Sequence, residues 1–323
     1  MKLPQLGPRL RIGLQLGASA GLLAFLISRL EWQRSLALIR GADPLLLILV
    51  VAIQSADRML MALKWHQLLR VLDHRLGRAA AIRVYYESTF VGFALPLGGL
   101  GPDIVRFVRL RSRGLDSHVT LASIVMERTI GVVATLALIV VGLAVLAQLA
   151  PQPALRGFAR LAAVVAAGAV AVAAAVIFAP ALARGVIGRF TLAKSLATGR
   201  WAKYVEAARA YSARRLTLAT NLGLSLMEQT APVFTLWVVS YALHTPLPWV
   251  VCLAVTPVAI VIQRLPLTYA GLGLREGSAA ALLVALGYDY SAALLLFMML
   301  FVMFCISLLP GAVMLVRSRP PSL

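Results

Sequence analysis

Long runs without charged residues alternate along the chain with short basic segments. Three of these runs, residues 131–150, 161–183 and 290–316, reach the length of roughly 20 residues that a helix needs to cross a bilayer. Backbone groups in hydrocarbon must satisfy their own hydrogen bonds, so such runs predict helices. The alternating pattern of a membrane β-strand is not found. We therefore predict an all-α, polytopic membrane protein with a single integral-membrane domain over residues 1–323.

The basic segments indicate the orientation of the helices, because Lys and Arg in short loops favour the cytoplasmic side. Both termini are then cytoplasmic, and we expect a multi-pass protein of the bacterial cytoplasmic (inner) membrane. A basic loop is predicted to start at Lys64, and the basic segment 184–215 is expected to meet anionic lipid headgroups at the cytoplasmic face. The pattern predicts about six spans, near residues 12–29, 44–63, 117–149, 159–180, 216–243 and 290–316.

Two further apolar segments, residues 84–111 and 249–287, are interrupted by proline and glycine, which end helices. A single crossing of the first segment would place one of its two basic flanks outside. We therefore interpret both segments as re-entrant helical hairpins that enter from opposite faces, like inverted repeats around a transport site. The alternative is eight transmembrane helices, two of them broken. The predicted helix breaks are Pro96, Gly98, Gly99, Gly101, Pro266, Gly271 and Gly273, and Pro257 is expected to interrupt the first half of the second hairpin.

Several charged residues fall inside or beside these apolar segments, where a charge costs about 2.5–3.5 kcal/mol and usually has a function. Arginine binds phosphate with two donors, and a helix that starts after a glycine-rich break adds free N–H groups. The candidate substrate-binding residues are Asp103, Arg106, Glu127, Arg128, Arg264, Arg275 and Glu276. The candidate supporting charges are Asp57, Arg58, Glu87 and Glu228. The alternatives are a structural or snorkelling pair for Asp57 and Arg58, a helix-locking neutral acid for Glu228, and an interfacial position for Glu127 and Arg128.

Composition narrows the classes of function. The net charge of +19 would suggest nucleic acid in a soluble protein, but here the basic residues lie between apolar spans, so we expect no nucleic acid. Cys252 and Cys305 lie in apolar runs and have no metal-site spacing, so we expect no metal, no cofactor and no catalytic residue. A stripe of small residues at Gly13, Gly17 and Gly21 would let another helix approach, as in a homodimer or a complex with a lipid-synthesising enzyme.

Three motifs carry a resemblance to a known family. They are LPLGGLGPDIVR at residues 95–106, ASIVMERTIG at 122–131 and PLTYAGLGLREG at 266–277, with KWHQLL at 64–69 as a weaker match. In order and spacing they resemble the flippase-like membrane domain of lysylphosphatidylglycerol synthases and its stand-alone relatives. Pro102 departs from the pattern, since the family tends toward glycine before the aspartate.

The resemblance implies translocation of a phospholipid or related lipid between leaflets. In long members a soluble aminoacyl-transferase domain follows the membrane region, and this sequence ends at Leu323 without one, so we expect no enzyme activity. The favoured interpretation is a lipid flippase or lipid-binding transporter for an anionic or aminoacylated phospholipid, or for a lipid-linked carrier. The alternatives are a non-transporting partner of a lipid-modifying enzyme and a membrane-embedded transferase.

Overall fold

The computed structural model describes residues 8–72, 76–95, 100–178, 210–211, 213–264 and 267–317, without the side chains of residues 8–12, 173–178 and 270. These residues form α-helices and one 3-10 turn, Tyr269–Gly271. The helices are α1 Pro8–Ser28, α2 Trp32–Arg40, α3 Pro44–Val71, α4 Arg78–Ala94, α5 Gly101–Arg111, α6 Ser117–Leu149, α7 Pro153–Phe178, α8 Arg215–Ala242, α9 Trp249–Gln263, α10 Leu274–Ala285, α11 Tyr290–Ser307 and α12 Leu309–Val316.

The described helices confirm the all-α, polytopic membrane class. Five stretches are long and apolar enough to cross a membrane, namely α3, α6, α7, α8 and α11 continued by α12. A sixth span results if α1 and α2, which are bent by 93° at their junction, are counted together. The spans near 117–149 and 216–243 agree with α6 and α8 to within one residue.

Aspartate side chains fix the first turn of three of these helices. Asp43 Oδ1 accepts a hydrogen bond of 2.8 Å from the N–H of Leu45, and Asp116 and Asp289 cap α6 and α11 in the same way. A carboxylate at this position satisfies free N–H groups and favours the positive end of the helix dipole. The starts of these spans are therefore set locally by sequence.

The helix pair α4 and α5 starts and ends at the same end of the bundle. Ala81 at the start of α4 and Leu110 at the end of α5 share one apolar cluster with Trp65 and Leu69, near the end of α3. We call this the basic end, because Arg70, Arg78, Arg111 and Arg214 also belong to the chain segments that meet there.

The pair α9 and α10 starts and ends at the opposite end. There the N–H of Asp43, before α3, donates to the carbonyl of Ala242 at the end of α8, over 2.9 Å. The N–H of Leu247, before α9, donates to Ser240 Oγ at 3.1 Å, and Leu247 lies in one cluster with Leu283 of α10. The two helix pairs thus open toward opposite ends of the bundle, while their insertion from opposite membrane faces as inverted repeats over 84–111 and 249–287 stays a prediction.

Three expectations need correction. The helix α3 continues to Val71, so Lys64 lies inside a helix and is buried rather than starting a loop. The helix α9 runs through Pro257 without interruption, and α6 accommodates that proline at Gly142, where a Cβ would approach Pro257 Cγ to 3.0 Å. The short helix α2 was not predicted. Most of the basic segment 184–215 lies outside the described residues.

The glycine stripe of α1 packs against no other part of the described chain. A Cβ added at Gly13, Gly17 or Gly21 would meet no atom within 4 Å. The approach of a helix from a homodimer partner or an enzyme therefore stays a prediction.

Candidate functional site

Both predicted helix breaks are present. The helix α4 ends at Ala94 and α5 begins at Gly101, and α9 ends at Gln263 and α10 begins at Leu274. Gly101 belongs to the first break, while Pro96, Gly98, Gly99 and Pro266 lie outside the described residues.

Glycine is required at both breaks for physical reasons. At the second break, Gly271 and Gly273 have φ angles of +75° and +79°, which side chains other than hydrogen rarely tolerate. At the first, a Cβ on Gly92 would overlap the backbone of Gly101 and Pro102. Glycine thus permits the left-handed turn before α10 and the close contact between α4 and α5.

The two breaks meet inside the bundle. The hydroxyl of Tyr269, in the turn of the second break, donates to the carbonyl oxygen of Phe93 at the end of α4, over 3.2 Å. Arg264, at the end of α9, donates from Nη2 to Thr135 Oγ1 on α6, also over 3.2 Å. The contact between Tyr269 and Phe93 joins residues that are 176 positions apart in sequence.

Four of the predicted site residues form one ion network on α5 and α6. Arg106 is 2% exposed and pairs with Asp103 on the same helix and with Glu127 on α6, the latter over 2.5 Å. Arg128 Nε pairs with Asp103 Oδ2 at 2.7 Å. The charges of two arginines and two carboxylates neutralise each other here. Charged side chains inside a membrane segment are usually paired in this way.

Aromatic side chains complete the surroundings of Arg106. Its guanidinium carbon lies 4.7 Å from the ring centre of Tyr85 and 5.1 Å from that of Trp65. The Tyr85 hydroxyl donates to Glu127 at 3.2 Å, and the Trp65 indole N–H donates to Ser123 at 3.2 Å. These contacts hold Arg106 rigidly, so we assign it a structural role rather than direct contact with a mobile ligand.

A second polar chain crosses the bundle and ends at Arg264. Lys64 on α3 forms a buried ion pair with Glu228 on α8. Gln229 Nε2 donates to Glu228 at 3.1 Å, and its Oε1 accepts from Thr135 Oγ1 at 3.0 Å. Thr135 in turn accepts from Arg264, so five side chains link a buried ion pair to an arginine at the second break. Lys64, Gln229 and Thr135 were not among the predicted site residues.

Arg264 and Arg128 stand out as the accessible cations of the region. Arg264 is exposed, and among the described residues its side chain has only the Thr135 hydroxyl as a hydrogen-bond partner. The Arg128 side chain is 50% exposed. Arg264 lies within electrostatic range of Arg128, whose charge opposes its own, and of the Glu228 carboxylate. Such a pair at a helix break is suited to bind an anion between its members.

The surface beside these arginines is apolar. Val125 and Val132 flank Arg128 along the same face of α6 and are 53% and 44% exposed. Val261 and Leu267, on either side of Arg264, are 39% and 60% exposed. Cationic groups next to exposed apolar side chains match the two parts of a lipid, its headgroup and its acyl chains.

Arg275 and Glu276 pair with each other at the start of α10. Arg275 pairs with Glu276 at 2.5 Å, and Glu276 Oε2 accepts the N–H of Gly273 at 2.7 Å, which caps α10. Arg275 also lies 5.7 Å from the ring centre of Phe301. The ion pair and the capping bond both lie at the start of α10. Their observed role is to hold the second break.

The supporting charges also have defined partners. Arg58 donates to Ser307 Oγ at 2.9 Å and stacks 4.7 Å from the ring centre of Phe304. Glu87 is fully buried and pairs with Arg83 at 3.0 Å and with Arg109 at 3.7 Å. Asp57 differs, because its Oδ1 is buried and makes no hydrogen bond to a described residue. It lies within electrostatic range of Lys64 and Glu228.

Among the residues that the structure describes, no group of three or more His, Cys, Asp or Glu side chains could hold a metal ion. Cys252 is buried, Cys305 is partly buried, and both are free thiols. The expectation of no metal and no cofactor stays a prediction.

Comparison with known families decides the classification. A model of the lysylphosphatidylglycerol synthase transmembrane region matches residues 12–313 of the chain. The chain belongs to this family. No protein of known function in the curated set matches it. The family is membrane-embedded and linked to lipid modification or flipping, and the match is to its membrane region without an enzymatic domain.

Pro102 stands at a position where the family tends toward glycine. In this chain Pro102 lies in the first turn of α5, where its fixed φ and missing N–H are tolerated, directly against Gly92 of α4. The first break of this family member is therefore compatible with proline at that position.

Proposed function

We propose that the chain is a lipid flippase or lipid-binding transporter that moves a phospholipid, or a related lipid-linked carrier, between leaflets. The lipid headgroup binds at Arg264 and Arg128, where the two broken helix pairs meet. The observation that carries this proposal is an exposed Arg264 that bonds to a hydroxyl and to no carboxylate among the described residues, within electrostatic range of a second exposed arginine, Arg128. A phosphate between the two would offset the charges of both.

The arrangement of the broken helices supports movement of the headgroup through this place. Paired, interrupted helices that meet near the middle of a bundle are the usual setting of a transporter's binding site. The exposed valines on α6 would contact acyl chains while the arginines contact the headgroup. We place the protein in the bacterial cytoplasmic membrane with both termini in the cytoplasm, and we take it to be a transporter rather than an enzyme.

Asp57 supports a headgroup that also carries an amine. Its buried Oδ1 lacks a hydrogen-bond donor among the described residues, and a buried carboxylate oxygen gains most from a charged donor. An aminoacylated phospholipid has both the phosphate for Arg264 and an ammonium group for Asp57. An anionic phospholipid without an amine would use the arginines alone.

The test is a transport assay with purified protein in liposomes that contain fluorescent phosphatidylglycerol, with quenching from outside to follow its appearance in the outer leaflet. The variant Arg264→Gln loses a charge-assisted interaction worth about 1.5–3 kcal/mol, so transport should slow at least about tenfold. Arg160→Gln, an exposed arginine on α7, is the matched control and should transport at the wild-type rate. Equal rates in Arg264→Gln and wild type, with both folded, would contradict the proposal.

A second function is supported by the open stripe on α1. Gly13, Gly17 and Gly21 face no described atom, so a helix of a lipid-modifying enzyme could pack there. The chain would then be a non-transporting partner. Isolation of a stable complex with such an enzyme, together with no transport by the chain alone, selects this function over the first.

A further inference from the structure

A second cluster of arginines lies at the basic end, away from the two breaks. An open cavity of about 900 Å³ is bounded there by the end of α3, the start of α4 and the start of α8. Three arginines line it, Arg70, Arg78 and Arg214, together with His66 and Thr217. No carboxylate is among its described lining residues.

The three arginines are exposed, and none of them has an ion pair or a side-chain hydrogen bond to another described residue. Arg83, also on α4, differs from these three arginines because it forms an ion pair with Glu87. Like charges that line one cavity repel one another when, as among the described lining residues here, no carboxylate lies between them. Their arrangement favours an anionic ligand.

The helix ends strengthen this conclusion. Gly77 precedes α4 and Arg214 precedes α8, and neither gives its helix a side-chain cap. Free N–H groups at both helix starts therefore face the region of the cavity, and they attract anions. Arg78 and Arg214 stand at helix N-termini, where the positive end of the helix dipole disfavours a cation. A bound anion would offset this repulsion.

His66 adds a buried imidazole to the lining of the cavity. It is 8% exposed, and its Nε2 lies 2.9 Å from the carbonyl oxygen of Leu76. A carbonyl oxygen only accepts, so Nε2 must donate, and Nδ1 makes no hydrogen bond to a described residue. A nine-tenths-buried imidazole that lines the cavity thus keeps one nitrogen for a ligand.

We propose that this cavity is a second binding site, which takes the phosphate group of an anionic phospholipid headgroup. Arg70, Arg78 and Arg214 would contact the phosphate oxygens, and His66 a headgroup hydroxyl. The volume exceeds what inorganic phosphate needs and falls within the range of small-molecule sites, about 300–1,000 Å³. The proposal goes beyond the transport function and does not depend on it, because the site binds whether or not lipid is moved.

Native mass spectrometry of the full chain in neutral detergent tests the proposal. An Arg264→Gln background removes the first anion site, so that the cavity alone is measured. Phosphatidylglycerol should bind at least about tenfold more tightly than phosphatidylcholine, whose own choline offsets the phosphate charge. Adding Arg70→Gln and Arg78→Gln should weaken phosphatidylglycerol binding by about tenfold or more. Arg113→Gln, an exposed arginine at the same end, should leave it unchanged.

A parallel titration with inorganic phosphate separates a lipid source from a soluble one. Competition by phosphate only at high concentration, with lipid bound in preference, supports the headgroup. Tight binding of inorganic phosphate without preference for phosphatidylglycerol would overturn the lipid assignment. Unchanged phosphatidylglycerol binding in the Arg70→Gln, Arg78→Gln variant would overturn the site itself.

Discussion

The buried pair of Lys64 and Glu228 offers a quantitative test of how the bundle is held together. Their side chains are 3% and 9% exposed, and they join α3 to α8. Lys64→Met leaves the Glu228 carboxylate without its cation, and Glu228→Gln leaves the ammonium without its anion. Because an unpaired buried charge is far more costly than the pair is stabilising, each variant should lose about 3–5 kcal/mol of stability.

The double variant Lys64→Met, Glu228→Gln should recover most of that loss. A neutral side chain on each helix removes both charges, and replacing a buried ion pair by neutral groups is often nearly neutral in stability. Gln229 keeps its bond to Thr135 in this variant, so the rest of the polar chain is unchanged. We expect the double variant to lie within about 1–2 kcal/mol of the wild type.

Equilibrium unfolding in mixed micelles of a mild detergent and sodium dodecyl sulfate measures these free energies, with helix content by circular dichroism as the readout. A double-mutant cycle from the four proteins gives the coupling energy directly. The reasoning would be refuted by a double variant as unstable as the sum of the single variants, because the two residues would then not be partners.

Three further variants have defined outcomes. Gly273→Ala should lose about 1–2 kcal/mol in the same unfolding assay, because its φ of +79° disfavours any Cβ. Arg106→Met should lose about 3–5 kcal/mol, since it leaves Asp103 and Glu127 buried without their shared cation, and wild-type stability would contradict the network. Tyr269→Phe should lose about 1 kcal/mol and slow lipid transport in liposomes, because the contact between the two breaks is lost.

The sequence was sufficient to predict features that depend on neighbouring residues. The apolar run that becomes α6 is bounded by the cap Asp116, and its ends were predicted correctly. Asp103 and Arg106, which form an ion pair, are three positions apart on one helix, a spacing that brings side chains together. Gly271 and Gly273 marked a break because a left-handed backbone needs glycine.

Features that depend on distant residues were missed. Lys64 follows an apolar run, where a lysine usually marks the edge of the membrane, and its partner Glu228 lies 164 positions away. No local pattern connects the two, so Lys64 was assigned to a loop. Thr135 and Gln229 are uncharged and gave no signal, although both belong to the chain that reaches Arg264.

The helix α2 was missed for a different reason. Its nine residues include Arg34 and Arg40, so it lacks the long charge-free run by which spans were recognised. Contacts with the start of α11 hold α2 in place, because Arg34 pairs with Asp289 at 3.3 Å and the N–H of Glu31 donates to Ser291. Trp32, with 55% of its surface exposed, lies on its free face.

The most direct test of the lipid site is a structure of the protein determined by electron microscopy in a nanodisc of phosphatidylglycerol, with mass spectrometry of the retained lipid. We predict a phosphate within hydrogen-bond distance of both Arg264 and Arg128, beside the contact between Tyr269 and Phe93. Lipid found only along the outer surface of the bundle, with Arg264 bonded to Thr135 and to no phosphate, would contradict a headgroup site between the two broken helix pairs.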